Sequence, residues 1–427
     1  MQLHISNYLN FNSILSYLLI LLPFFLISGP FLSDLAIFIF TISFFLLVRD
    51  KKFYNNYFFV FSIFFYIILV TSSLISDYKL NSLKSSFFYF RFCFFSLFVW
   101  YLLENNKNLL KRIFYILIIS FLILIGDSFF QFFYGENIFK MKMIENNRVS
   151  SLFGDELKLG GFLMRLTPLL FALSFYFYEK NVHKNYIPLG LIFLILIQIT
   201  IFLSGERSSF FLFIFLTFLF LIFLHGFKFI RIIYFFTFIS ILFLLLFSDS
   251  TFKKRIVNTT IDEMNLFKDQ ENKYIFSKQY NEHFISSWRI FKDNKIIGIG
   301  PKNFRKECKI EKYNLSKLTC STHPHNFPLQ ILSETGLLGF LFYLLINIFI
   351  WYSLFKTLFA KVFFQKRIFS NFQISLLIAL AVLFFPFTPN GSFFNNWLSI
   401  LLYYPFGFLL WSFNSQEKIY FNYTKKG

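Results

Sequence analysis

Long apolar runs alternate with short polar connections along most of this chain, and the alternation breaks down once, late. A run of about twenty apolar residues crosses a bilayer as a helix. By that measure about twelve spans are expected, near 12–30, 31–48, 57–76, 84–103, 110–134, 157–178, 186–203, 208–225, 229–248, 336–358, 369–387 and 396–414. The break is a polar segment of roughly 75 residues, 249–325, rich in Lys, Asn, Asp and Ser; a loop of that length is rarely passive. Inside it, Tyr280–Phe291 reads as an amphipathic helix with Phe284, Trp288 and Phe291 on one face, ended by Gly298, Gly300 and Pro301. The pattern predicts an all-α polytopic membrane protein with one large external subdomain lying on the membrane. It divides into 1–248 (nine spans), 249–335 (the external loop) and 336–427 (three spans and a tail).

Composition sharpens this. Of 427 residues, 56% are apolar and 74 are phenylalanine, more apolar surface than one soluble core can bury. The first apolar segment lacks a basic leader and a small-residue cleavage site, so it reads as a retained span. The net charge of +19 sits mostly in short connections, which argues for anionic lipid and substrates over nucleic acid. Lys and Arg are denser at Arg49–Lys52, Lys107–Arg112, Lys228–Arg231, Lys356–Arg367 and the tail than in the alternate connections. That bias puts both termini in the cytoplasm and the long segment outside. Three cysteines exclude a disulfide scaffold and a tetrathiolate zinc site. Cys93 lies in a span, whereas Cys308 and Cys320 share the external segment, where pairing depends on the compartment.

Candidate chemistry gathers in Ser321–Gly339, STHPHNFPLQILSETGLLG, at the mouth of a span. Ionisable groups at a membrane boundary are costly unless they work. Pro328 suits a first helical turn, so His325 and Asn326 stand at a helix N-terminus whose free N–H groups favour phosphate. His325 can exchange a proton near neutral pH; an interfacial histidine bonded to its loop fits the pattern as well. His323 reads as support. Glu334 is either a buried anchor or an orienting group, and Gly336 and Gly339 permit close packing. Arg207, in LSGERSS, is placed to grip phosphate or to pair with Glu206. Arg289 alone is an ordinary surface charge. Arg91 and Arg165 lie within spans and should face a cavity or a partner, with Asp127 and Gln131 as candidates. No phosphate-cradling loop, HExxH or paired CxxC is present, and neither a metal nor a cofactor is expected.

His325, Asn326, Gly336 and Gly339, at their spacing, resemble the signature of the O-antigen ligase superfamily. So do LSGERSS before a span, SSWRIFKDNKIIGIGPKNF inside the loop, and DSFFQFFYGENIF followed by NRVSSLFGDELKLGGFL. The resemblance covers roughly Asp127 to Phe340. It implies a glycosyltransferase C-type fold in the bacterial inner membrane, with the site facing the periplasm. It also implies metal-independent, inverting transfer of a glycan from an undecaprenyl-diphosphate carrier. The acceptor is lipid A–core in a ligase, a second carrier-linked repeat in a polymerase, or a protein hydroxyl in an oligosaccharyltransferase; the motif's place near the loop's end leans to ligase. By position, Arg207 and Arg289 would clamp the diphosphate and His325 would act as base. Asn326, His323, Glu334, Arg148, Arg165 and Arg91 would line the substrate path. A lipid-linked-sugar transporter is the alternative of another class, but the halves show no symmetry.

Overall fold

The computed structural model describes residues 2–106, 108–144, 147–179, 187–247, 253–266 and 273–415. Parts of the expected external loop (248–252 and 267–272), the inner connection 180–186, Lys107 and the tail 416–427 lie outside the described residues.

Helices α1 (Gln2–Ser28), α2 (Pro30–Leu47), α3 (Tyr57–Ile75), α4 (Lys79–Ser86), α5 (Phe90–Asn105), α6 (Asn108–Tyr134), α7 (Leu159–Glu179), α8 (Ile187–Leu203), α9 (Arg207–Phe223) and α10 (Lys228–Phe247) come first. The polar segment contributes α11 (Thr259–Met264), α12 (Lys278–Asp293) and the single turn α13 (Phe304–Glu307). The chain then returns through α14 (Phe327–Phe364), α15 (Asn371–Leu383) and α16 (Asn396–Asn414). Among the described residues the extended pairings are isolated bridges, such as Ile144 with Arg148. Six helical stretches are long and apolar enough to cross a membrane: Pro30–Leu47, Tyr57–Ile75, Lys79–Asn105, Asn108–Tyr134, Leu159–Glu179 and Phe327–Phe364. Four shorter apolar helices accompany them, Asn12–Ser28, Leu189–Leu203, Arg207–Phe223 and Asn371–Leu383.

Local signals set the ends. Asn56, Asn326, Ser370 and Asn395 each accept a backbone N–H of the following turn, satisfying donors a helix start leaves open. Burial follows composition: α5 is apolar all round and buried from Phe92 to Leu103, whereas α3 exposes Phe64 and Ile67. A helix apolar on every side belongs in the centre. There α5 packs on α16 and α2, and α15 packs on α7.

Two of the boundaries that move bear on the site. The tenth span was expected from residue 336, yet α14 starts at Phe327, because Asn326 caps it and Pro328 fits its first turn. The eleventh was expected to reach 387, but α15 ends at Leu383 and an irregular connection, 384–395, follows. That connection becomes the floor of the polar site.

Helix α14 is broken at Gly336, whose φ of 66° and ψ of −165° are not helical. The break strands backbone groups on both sides, and Lys295–Gly300 answers them. Ile299 and Gly300 donate to the Ser333 and Glu334 carbonyls at 3.0 and 2.8 Å, while Leu337 and Leu338 donate to Lys295 and Ile296 at 2.8 and 3.3 Å. Ser72 of α3 adds bonds to the Ile297 and Glu334 carbonyls at 2.7 and 2.9 Å. Backbone lies directly on backbone: a Cβ on Gly336 would overlap Ile296, and one on Gly298 would overlap Glu334 and Thr335. The polar segment is thus docked into a membrane helix, not merely tethered to it.

Candidate functional site

The disulfide Cys308–Cys320 closes the far part of the polar segment, over a small core of Ile290, Ile299, Phe304, Cys308 and Tyr313. Helix α12 crosses this core toward α14. Its buried face carries Glu282, His283, Ser286, Ser287, Ile290 and Phe291. The expected apolar stripe is therefore only partly the buried one, since Trp288 stays 43% exposed. Small Ser286 and Ser287 let α12 approach closely, and Ser287 bonds the Leu329 carbonyl and the Ser333 hydroxyl at 2.9 and 3.0 Å.

That approach assembles three histidines. The rings of His323 and His325 lie 4.0 Å apart, and His283 stacks on His325 at 5.5 Å with Tyr280 edge-on at 5.4 Å. His325 has φ 57°, a left-handed conformation that histidine tolerates better than most residues. Its carbonyl accepts the Asn390 N–H at 2.8 Å. His323 is satisfied on both nitrogens: Nε2 donates to the Asn390 carbonyl at 3.2 Å, and Nδ1 takes the Thr322 hydroxyl at 2.8 Å. His283 Nδ1 donates to the Thr319 carbonyl at 2.7 Å, while its Nε2 is buried with no partner among the described residues. Burial lowers all three pKa values: to about 3 for His323 and about 4 for His325, with the other histidines' charges adding, and to a lesser degree for His283. All three are neutral at pH 7. His283 and His323 are buried, at 0% and 8% exposure; His325 is half-buried and keeps an accessible edge.

Asn326 caps α14, accepting from Leu329 N–H at 3.1 Å and donating to the Pro386 carbonyl at 2.8 Å. Gln330 holds the same connection through Phe393 N–H and Ser392, at 2.8 and 3.0 Å. Glu334 is fully buried, accepting from Phe304 N–H at 3.1 Å and Gln330 at 3.0 Å. Of its two readings, the anchor is the one its contacts describe.

The arginines separate into groups. Three meet around the α8–α9 connection. Arg148 donates to the Ser204 carbonyl at 3.1 Å, Arg165 to the Gly161 carbonyl at 3.0 Å, and Arg207 pairs with Glu263 at 2.8 Å and Thr260 at 3.2 Å. The expected partner Glu206 instead accepts the N–H groups of Gly160 and Gly161 at 2.7 and 2.9 Å, a favourable place for a carboxylate at a helix start. Phe385, next to Pro386, packs on Phe211 and Phe215 of α9 at 6.3 and 4.4 Å. The 384–395 connection thereby links the helix that starts at Arg207 to the His325–Asn326 motif.

Arg91 lies apart, paired with Asp34 at 2.7 Å. Neither Asp127 nor Gln131 partners an arginine. Asp127 accepts from Ile138 N–H and Ser151 at 3.0 and 2.6 Å, and Gln131 from Ser150 and Ser151 N–H at 2.9 and 2.8 Å. Unpaired loop N–H groups take precedence in a buried site. Arg289 is exposed and donates to the Lys312 carbonyl at 3.5 Å. Six residues turn a helix by about 240°, so it does not share the face of His283.

The motif reading missed His283, Tyr280 and Arg305, whose charge acts on His323. Helical spacing alone carried a hint, because Tyr280 and His283 lie three apart on the face that Ser287 continues. No group of three or more His, Cys, Asp or Glu among the described residues is arranged to hold a metal ion.

Fold and site together define a multi-span helical membrane protein with a histidine-bearing polar site docked on one broken helix. Residues 191–344 match the family model described as O-antigen ligase, consistent with the O-antigen ligase superfamily, whose members are glycosyltransferase-like enzymes. The match takes in Arg207, Arg289, the histidine cluster and the broken half of α14, and leaves Arg91, Arg148 and Arg165 outside. No curated protein matches the chain.

Proposed function

We propose that this protein transfers a glycan from an undecaprenyl-diphosphate carrier to a hydroxyl of lipid A–core, with no metal and with inversion, at the periplasmic face of the bacterial inner membrane. The observation that carries the proposal is His325: neutral, strained into a left-handed turn and accessible, beside two buried histidines. As base it takes the acceptor hydroxyl's proton while that oxygen attacks the anomeric carbon. The carrier diphosphate leaves from the opposite face. Arg207 binds its charge, exchanging Glu263 for phosphate oxygens, and Arg148 and Arg165 lie beside it as a basic path; cations in such a place stand in for a metal. The family pattern makes Arg289 a second member of the clamp, and its exposed place off the His283 face gives it the lesser share. Asn326 supplies the helix N-terminus, and Glu334 and His323 hold the site. About twelve spans, with the disulfide-closed segment outside, complete this reading, and an oxidising compartment suits Cys308–Cys320.

Purified protein given carrier-linked glycan and lipid A–core, with chelator present, tests the acceptor. Transfer to core is expected. Lengthening of the carrier-linked glycan instead means a polymerase, and transfer only to a Ser/Thr peptide means an oligosaccharyltransferase. No product with any acceptor, alongside movement of labelled carrier across vesicles, means a transporter.

A further inference from the structure

We propose that the chain also holds an anionic two-chain phospholipid at the end of the bundle opposite the histidines. Lys361 lies in α14 about 37 Å of helix beyond the break at Gly336, at 1.5 Å per residue, so this site is remote from the one above and does not rest on glycan transfer. A cavity of about 680 Å³ opens among α6, α7, α8, α9 and α10, walled by side chains such as Phe114, Phe171 and Phe175. A second cleft, of about 440 Å³, is walled by Phe218, Phe235 and Phe236. The two share Leu221 and Arg231. One guanidinium thus stands between two apolar clefts, the layout of a headgroup between two acyl chains.

The charge is unbalanced. Arg231 donates to the Leu221 and Leu224 carbonyls at 2.7 and 3.2 Å, and Lys361 to those of Ile222 and Leu224 at 3.1 and 2.8 Å. A helix C-terminus offers only about half a negative charge, against these two cations and neighbouring Lys228. Among the described residues none of the three has a carboxylate partner. Arg231 Nε is buried with no partner there either, and nearby Arg367 is already paired with Glu179. A cation surplus bordered by apolar clefts at a bilayer surface selects an anionic lipid.

The test compares phosphatidylglycerol with phosphatidylcholine on full-length protein in detergent, reading retained lipid by native mass spectrometry and the thermal midpoint on lipid addition. Wild type is expected to retain phosphatidylglycerol at least five-fold over phosphatidylcholine and to be stabilised by it alone. Lys228→Gln with Arg231→Gln should abolish both effects. Because Arg231 also caps α9, Ser174→Phe provides a second variant that puts a ring into the larger cavity, which Ser174 lines, and leaves every charge in place. It should lose the retained lipid while its lipid-free midpoint stays within a degree or two of wild type. Equal retention of the two lipids overturns the proposal, as does a phosphatidylglycerol preference that survives both variants.

Discussion

Two polar regions stand side by side at the start of α14, and they are built on opposite rules. Around Gly336 four backbone groups on the two sides of the broken helix are answered, by Ile299, Gly300, Lys295 and Ile296, and Glu334 takes Phe304 and Gln330. Around His325 the accounts are left open. His283 keeps a buried nitrogen without a partner, His325 occupies a strained turn, and three neutral imidazoles crowd where one charge would repel the next. The first region is a platform, and buried polar groups there hold shape. The second is held by that platform in a state that satisfied groups would not adopt. Polar burial alone marks neither; what sets the second apart is an unpartnered His283 nitrogen beside two further imidazoles and a left-handed turn at His325.

Damage to the platform should be the most severe. Gly336→Ala forces a Cβ into Ile296 at a positive φ, and we expect a loss of about 3 kcal/mol or more, read as a fall in thermal midpoint and as protease cleavage of the polar segment. Gly126→Ala, in α6 with no atom within 4 Å of the added Cβ, should cost much less. Equal losses would mean that the docking is not what Gly336 protects. Glu334→Gln comes next. It turns a double acceptor into a group that faces Phe304 N–H or the Gln330 amide with a donor, at about 1–3 kcal/mol. Its midpoint should fall while turnover per folded molecule survives; a turnover collapse at unchanged midpoint would move Glu334 into the chemistry.

Acid sharpens the contrast from the other side. The folded pKa values of His283, His323 and His325 are depressed, so below pH 6.5 the unfolded chain binds protons that the folded cluster refuses. The stability contribution is full above that pH and is lost as pH falls toward about 4 and 3. His323 and His325 should each cost about 1.4 kcal/mol per pH unit in that window. With the pH dependence of intrinsic amide exchange divided out, protection of the 277–330 segment should fall as pH drops from 7 to 5, and a His323→Gln, His283→Gln pair should flatten the dependence. The smallest effect is assigned to Arg289→Ala. An exposed arginine away from the His283 face should change turnover less than Arg207→Ala does. A loss as large as that of Arg207→Ala would show that α12 turns toward the donor when it binds.

Much of the membrane architecture was legible, because length and hydropathy decide whether a helix can cross a bilayer, and six of the expected spans coincide with helical stretches long and apolar enough to do so. The helix start just after Asn326 was legible too, from Asn326 and Pro328. What sequence could not supply was partnership across distance. Arg207 chose Glu263 over its neighbour Glu206, since Glu206 meets the start of α7. Arg91 found Asp34, far away in sequence, and the tie of His323 and His325 to Asn390 crosses from one helix connection to another. His283 escaped notice because a histidine on an amphipathic helix carries no motif. The pairing of Cys308 with Cys320, open from sequence, is set by the fold.

The most direct test compares turnover of His325→Ala and His323→Ala at pH 7, with thermal midpoints measured on the same preparations. If His325 is the base, its variant should lose about 10²–10⁴-fold in kcat at a midpoint close to wild type. The His323 variant should instead lose stability first. Retention of more than about a tenth of kcat by His325→Ala, a loss far short of what general-base catalysis contributes, would contradict the account and leave His325 as one more supporting histidine.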